Sequence, residues 1–252
     1  MKAIPSIDEL RKLSPASLQK ISADLRSFVL NATKEKAGHL ASSLGVTELT
    51  LTLHYLLNTP DDILLWDVGH QAYIHKVITD RASAFKFNRM KNGPSGFPSR
   101  KESKFDSFGV GHSSTTLSAL IGFARADKIN KRVRKRVAVI GDGAFTAGMI
   151  YEALNDAGSK GDDVLLIIND NGLAIEENSG ALHDSSRYEE FCESLGWNFI
   201  SGNIKGNNTI KLFKEIKYAL SLSGPRVLHI LTKRPSLKDL GLKESPPNKK
   251  SF

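Results

Sequence analysis

The sequence predicts an α/β protein with a doubly wound, mostly parallel sheet, helices on both faces of the sheet, and a helical N-terminal lead-in. The second half of the chain alternates short, continuous apolar runs with helical patterns, which is typical of parallel strands buried on both faces. The first third instead shows mainly helical patterns. About 40% of the 252 residues are hydrophobic, which is enough for a sizeable core.

The elements follow from their boundary residues. Ser14 before Pro15 favours a helix start, and Gly38 favours a break. The predicted helices cover about 14–36, 42–58, 113–128, 146–157, 187–195 and 208–221. The predicted strands are the apolar runs 63–66, 137–140, 164–168, 197–200 and 227–231. Between them, 91–111 is rich in Gly and Pro and is expected to be a long, functional surface loop. Residues 1–235 should form one domain and 236–252 a polar, flexible tail.

Charge and composition exclude several classes of protein. The net charge of +8 comes partly from six basic residues in a short stretch, namely Lys128, Lys131, Arg132, Arg134, Lys135 and Arg136. We interpret this basic cluster as a solvated face. The alternatives are a surface for an acidic partner or for nucleic acid. Nucleic acid is disfavoured because no aromatic residues are interleaved with the basic ones. No apolar run reaches the roughly 18 residues of a membrane span, and the start of the chain lacks a signal sequence. A single cysteine, Cys192, excludes an internal disulfide, so we expect a cytoplasmic protein.

Polar and glycine residues follow three of the predicted strands, at 67–70, 141–143 and 169–171. Ligands of such sheets bind outside the carboxyl ends of the strands. The Gly141–Gly143 turn could hold a dinucleotide, but Thr146 occupies the position where that fingerprint needs Gly or Ala. We favour a magnesium site instead, with Asp142 as an oxygen ligand, Gly143 close to a diphosphate at the helix start, and Asn171 as the ligand from the next strand.

The pair GDG at 141–143 and NDN at 169–171 resembles the thiamine-diphosphate-binding motif. Three further segments narrow the resemblance: AGHLASSLGV at 37–46, WDVGHQAY at 66–73 and GHSST at 111–115. Together they resemble the N-terminal, diphosphate-binding portion of 1-deoxy-D-xylulose-5-phosphate synthase, a relative of transketolase. The resemblance covers about residues 5–235 and implies thiamine diphosphate and Mg²⁺ as cofactors.

The resemblance also implies residue roles. Asp142, Asn171 and the backbone carbonyl of Leu173 would bind Mg²⁺. Gly111, His112 and Ser113 would line the cofactor, and Gly143 and Ala144 would donate backbone N–H groups to its diphosphate. His70 would contact the cofactor, and His39 would face the reacting carbonyl, where an imidazole can donate a hydrogen bond or move a proton. His112 could alternatively cap the following helix. We interpret His54, His75, His229, Cys192, Trp66 and Trp197 as structural residues.

The chain also departs from the family pattern. The domain that carries the glutamate that activates the cofactor, and the C-terminal domain, are not part of this sequence. A long segment of the family after 179–182 is missing, and RPSL at 234–237 replaces a Gly-x-Gly-Tyr segment. We therefore expect one subunit of a split transketolase-like transferase that forms carbon–carbon bonds. A separately encoded β-like partner would supply the missing parts, in an α2β2 assembly. The alternative is a catalytically silent homologue that acts as a binding or regulatory scaffold.

Overall fold

The protein is described here from a computed structural model. It covers residues 4–33, 38–172, 180–205, 208–236 and 239–240, with the backbone alone for 202–205. Five strands form one parallel sheet: β1 (Ile63–Trp66), β2 (Arg136–Gly141), β3 (Leu165–Asp170), β4 (Asn198–Lys205) and β5 (Arg226–Leu231). Their order across the sheet is β1-β2-β3-β5-β4, so the two strands predicted to carry the metal ligands are neighbours.

Ten α-helices accompany the sheet in the described part of the chain. They are α1 (Ile7–Arg11), α2 (Leu18–Thr33), α3 (Leu40–Gly45), α4 (Thr47–Leu56), α5 (Tyr73–Lys76), α6 (Thr116–Ile129), α7 (Asp142–Phe145), α8 (Gly148–Lys160), α9 (Tyr188–Ser194) and α10 (Thr209–Ser221). Alternate strand residues point to opposite faces. One face packs on α6, α8 and α9, and the other packs on α4 and α10. The predicted fold class and all five predicted strands are thus confirmed.

The N-terminal lead-in is helical, as predicted, but its subdivision differs. Helix α1 precedes the predicted start, and its Ser6 and Glu9 form a reciprocal capping box. The predicted second helix is two helices that meet at Val46, and the first begins at Leu40 rather than Ser42. The helices α1 to α3 and α5 enclose a third apolar core beside the sheet. This lead-in positions His39 directly before α3.

The interpretation of the basic cluster as a solvated face is wrong for Arg134 and Arg136. Both guanidinium groups donate to the carboxylate of Asp127, each with a 2.7 Å contact, and Arg136 is 8% exposed. Arg132 also pairs with Asp61 before β1. The cluster lies where β2 begins, and its arginines neutralise carboxylates that the fold brings to the amino edge of the sheet. The three arginines of the cluster are therefore paired with carboxylates within the protein.

Several residues interpreted as structural are buried, as expected. Cys192, Trp66 and Trp197 are buried in the cores. None of the helices in the described ranges is long and apolar enough to cross a membrane. The predicted flexible tail falls mostly outside the described residues.

Candidate active site

The carboxyl ends of β2 and β3 bring the two predicted metal-binding side chains to one edge of the sheet. Gly141, the last residue of β2, pairs in register with Asn169 of β3. Asp142 follows immediately, begins α7 and is 3% exposed. Asn171 comes two residues after Asn169 and is half-buried. The predicted third ligand, the carbonyl of Leu173, lies outside the described residues.

Buried hydrogen bonds fix the tip of β3. The Asn169 amide donates to Gln71 Oε1 at 2.8 Å and accepts from Thr232 Oγ1 at 2.6 Å. Burial raises the pKa of Asp170, but hydrogen bonds, led by the one to His229 at 2.9 Å, lower it overall. Interpreting His229 as a structural histidine agrees with this contact. The backbone that presents Asn171 is therefore held by side chains from the loop after β1 and from the end of β5.

Asp67 joins the end of β1 to the loop before α6. Its buried carboxylate accepts hydrogen bonds from Ser114 N–H at 2.8 Å, Thr116 N–H at 3.2 Å and Thr116 Oγ1 at 2.8 Å. Burial raises the pKa of this carboxyl. Ser114 Oγ in turn donates to the Ala144 carbonyl at 2.6 Å. One buried carboxylate thus ties the GHSST loop to the turn that holds Asp142.

The predicted cofactor-lining residues lie on this same edge. Gly111, His112 and Ser113 are exposed, immediately before the anchored Ser114. His112 does not cap α6. The N-cap residue is Thr115, and its side chain makes no capping hydrogen bond. Gly143 and Ala144 lie in the first turn of α7, where backbone N–H groups have no acceptor within the helix. These positions are compatible with the predicted contacts to a cofactor, which remain predictions.

The two predicted catalytic histidines face each other. The rings of His39 and His70 are 5.7 Å apart in an edge-to-face arrangement, and Phe97 stacks on His39 at 5.9 Å. Gly38, at φ 155°, is needed before His39 because a Cβ there would lie 2.5 Å from Tyr73 Oη. Val68 has φ 60°, an unusual conformation for a β-branched residue that is typical of functional sites. The backbone therefore adopts positive φ angles both before His39, at Gly38, and before His70, at Val68.

Burial keeps both histidines neutral. It lowers the pKa of His70 to about 4, with further contributions from His39 and the Arg234 guanidinium. Burial also lowers the pKa of His39, and the charges of Arg89 and Arg234 act in the same direction. Nδ1 of His70 is buried without a hydrogen-bond partner, as is Nε2 of Gln71. Buried polar atoms without a partner are uncommon, so these two atoms are available to hydrogen-bond a polar group that binds beside the histidine pair.

The free energy of unfolding is expected to fall as the pH drops from 6.5 towards about 4. In that window His70 is protonated in the unfolded chain but stays neutral in the folded chain, so lowering the pH favours the unfolded chain. The loss for this one group should approach about 1.4 kcal/mol per pH unit. Urea unfolding across the window checks this. His70→Asn should flatten the slope, whereas His183→Asn, which removes an exposed histidine, should not; an unchanged slope in His70→Asn contradicts the assignment.

The donor set suits Mg²⁺ bound together with a diphosphate. Among the described residues, no three His, Cys, Asp or Glu side chains converge to hold a metal alone. Asp142 and Asn171 instead offer one carboxylate and one amide oxygen, and Mg²⁺ commonly combines few protein oxygens with phosphate oxygens. The sequence does not reveal the supporting roles of Gln71, Asp170 and Thr232, because their partners are distant in sequence.

The comparisons with known proteins agree with this geometry. The sequence model of the 1-deoxy-D-xylulose-5-phosphate synthase family matches residues 1–191. The 1-deoxy-D-xylulose-5-phosphate synthase of Pseudomonas aeruginosa (strain LESB58) is 40% identical in an alignment that covers 90% of this chain and 42% of that protein. The synthase of Cytophaga hutchinsonii is 52% identical over 230 residues, covering 88% and 36%. This chain thus spans about two fifths of these relatives.

Solved structures support the fold. Transketolase from Campylobacter jejuni superposes with a TM-score of 0.75 at 21% identity, over 87% of this chain and 38% of that one. Transketolase from Leishmania mexicana gives a TM-score of 0.69 at 18% identity. These solved structures show that the chain has the transketolase-like class of α/β fold. Within that class, the chain belongs to the 1-deoxy-D-xylulose-5-phosphate synthase family.

Proposed function

We propose that this chain is the Mg²⁺- and diphosphate-binding subunit of a split thiamine-diphosphate enzyme. With its partner it would transfer a two-carbon unit from a 2-oxo acid or ketose to an aldehyde. The observation that carries the proposal is the placement of Asp142 and Asn171 at neighbouring strand tips, beside the GHSST loop and the histidine pair. Bound thiamine diphosphate supplies a carbon nucleophile for carbonyl chemistry.

The chain's own residues would divide the remaining work. Asp142 and Asn171 would hold Mg²⁺, while the N–H groups of Gly143 and Ala144 would receive diphosphate oxygens. His39 and His70 are neutral near pH 7, so each can donate one hydrogen bond from its protonated nitrogen and accept one on the other. They would orient the substrate carbonyl and move a proton at its oxygen.

The edge of the sheet at the carboxyl ends of the strands is exposed, which supports a partner subunit at this site. Gly109, Gly111, His112 and Ser113 are exposed there, and Met149 at the start of α8 is 47% exposed. A cofactor covered only by this chain would stay open to water, which is unfavourable for reactive carbon nucleophiles. A β-like subunit that resembles the remaining portion of the relatives would close the site and supply the activating glutamate. Pairing of two such halves about a twofold axis would give α2β2.

Reconstitution tests the proposed function. The purified chain is expected to bind Mg²⁺–thiamine diphosphate weakly and to produce no carbon–carbon bond formation alone. Adding the β-like subunit should tighten calorimetric binding and start turnover with 2-oxo acid and aldehyde substrates. Turnover by the isolated chain would refute the split arrangement. A complex that forms but binds no thiamine diphosphate would refute the cofactor assignment and favour the scaffold role.

A further inference from the structure

Residues 95–106 form a segment that packs against His39 and the backbone beside His70, and we call it the clasp. Its Phe97 ring stacks on His39 at 5.9 Å and an interplanar angle of 28°. Phe97 and Pro98 also pack on Gly69, where a Cβ would lie 3.1 Å from Phe97 Cβ and 2.7 Å from Pro98 Cδ. Gly69 has φ 91°, so the backbone beside His70 is shaped to let the clasp approach. The clasp is therefore the wall of the site beside both histidines.

Two carboxylates of the clasp hold its backbone on either side of Phe97. Glu102 accepts from Ser95 N–H at 2.6 Å, and Asp106 accepts from Ser99 N–H at 2.8 Å. Ser95 lies two residues before Phe97, and Ser99 lies two residues after it. The position of the aromatic ring is thus bracketed by two charge-assisted hydrogen bonds.

The same carboxylates are anchored to the helix that follows His70. Lys76 Nζ, in a fully buried side chain, donates to Glu102 at 2.6 Å. Arg81 donates to both oxygens of Asp106, at 2.5 and 2.9 Å, and His75 Nε2 lies 2.9 Å from the same carboxylate. Two cations therefore balance two carboxylates. Breaking one member of such a buried set leaves a charge without its partner, which is costly.

The buried chain continues away from the site through a second histidine. Because Asp106 only accepts, His75 must donate from Nε2 and accept on Nδ1, which lies 2.8 Å from His54 Nε2. His54 then accepts on Nδ1 from Thr59 Oγ1, at 3.0 Å, and Thr59 accepts from Arg11. Burial lowers the pKa of both histidines, so both rings are neutral. Each of the two imidazoles therefore donates one hydrogen bond and accepts one along this path.

We propose that Asp106 and Glu102 are positioning residues that hold Phe97 against the His39–His70 pair. Three observations support this. The two carboxylates accept hydrogen bonds from Ser95 N–H and Ser99 N–H. They are themselves held by Lys76 of α5 and by Arg81, and the Phe97 ring between the two serines stacks on His39. The role concerns the histidines of the proposed function and so rests on it. His54 and His75 extend the anchor and do not touch the site.

Imidazole NMR of the folded chain tests the positioning role without requiring cofactor or activity. Phe97→Leu removes the ring current at His39 and defines the reference shift. Asp106→Asn is expected to move the His39 and His70 ring signals in the same direction as Phe97→Leu. Asp127→Asn is the matched control, because it removes a buried carboxylate shared by two arginines at the opposite edge of the sheet; it should leave both signals in place.

Glu102→Gln keeps the test decisive if Asp106→Asn does not fold, since Glu102 is 20% exposed and Gln can still accept from Ser95. It should give a smaller shift in the same direction, because its bond to Lys76 loses charge assistance. In the reconstituted enzyme, both variants should lower kcat at least about tenfold, with thiamine diphosphate affinity unchanged. Unmoved His39 and His70 signals in the folded variants would overturn the proposal, whether or not the complex binds thiamine diphosphate.

Discussion

Asp142→Asn is expected to weaken binding of Mg²⁺–thiamine diphosphate to the reconstituted complex by more than about 100-fold. Removing a residue that merely supports a metal ligand typically costs 10–100-fold in affinity, and Asp142 is proposed as a ligand itself. The substitution also removes the negative charge that a divalent ion requires at the tip of β2. Isothermal titration with and without Mg²⁺ measures the loss.

Asp156→Asn provides the matched control for Asp142→Asn. Asp156 lies on α8, is 47% exposed and pairs with Arg125 at 2.8 Å, so the variant makes the same charge change on a surface outside the site. Its cofactor affinity should equal that of the parent complex. If Asp142→Asn also bound normally, Asp142 would not be a metal ligand and the assignment of this edge would fail. A loss of thiamine diphosphate affinity in Asp142→Asn that appears with Mg²⁺ but not without it would specifically support metal coordination.

Asp67→Asn is expected to lower the free energy of unfolding by about 3 kcal/mol, because a buried acceptor would be replaced partly by a donor. The Asn side chain would turn an NH₂ group towards one of the N–H groups of Ser114 and Thr116 that now donate to the carboxylate. The GHSST loop, whose Ser114 donates to the Ala144 carbonyl, would lose its anchor, so cofactor affinity should fall as well. Urea unfolding and calorimetry measure the two effects.

Thr116→Val separates the loss of one hydrogen bond from the loss of the whole anchor. It removes the 2.8 Å bond from Thr116 Oγ1 to Asp67 and leaves both backbone donors in place. A loss of about 1 kcal/mol is expected. Should Asp67→Asn prove as stable as the parent chain, other contacts would have to hold this loop, and Asp67 would not couple β1 to the Asp142 turn.

The strands and the strand-tip residues were predictable because their signals are local. Each strand is a short apolar run, and parallel strands end at a common edge, so Asp142 and Asn171 had to lie near each other once β2 and β3 were neighbours. The division of the second helix at Val46 was missed, since SSLGV reads as one continuous helical stretch. In the folded chain, Gly45 packs close to the backbone of Arg234, a contact that only the tertiary fold creates.

The polar supports of the site could not be predicted in the same way. Asp67 meets Ser114 across 47 residues, and Asn169 meets Gln71 across 98 residues. No periodic pattern marks such pairs. The error over Arg134 and Arg136 has a different cause. Their partner Asp127 is only seven and nine residues away, but nothing in the sequence shows that the chain between α6 and β2 brings one carboxylate to both guanidinium groups.

The central position of β2 and β3 has a consequence for how the cofactor would be received. Each of these strands is hydrogen-bonded to a neighbour on both sides, whereas β1 and β4 lie at the margins of the sheet. Amide hydrogens near Gly141 and Asn169 should therefore exchange with solvent only in rare, nearly global openings. The residues that become ordered on binding would then be mainly the exposed glycines at 109 and 111. Their amide hydrogens should gain the most protection from exchange when cofactor and partner are added.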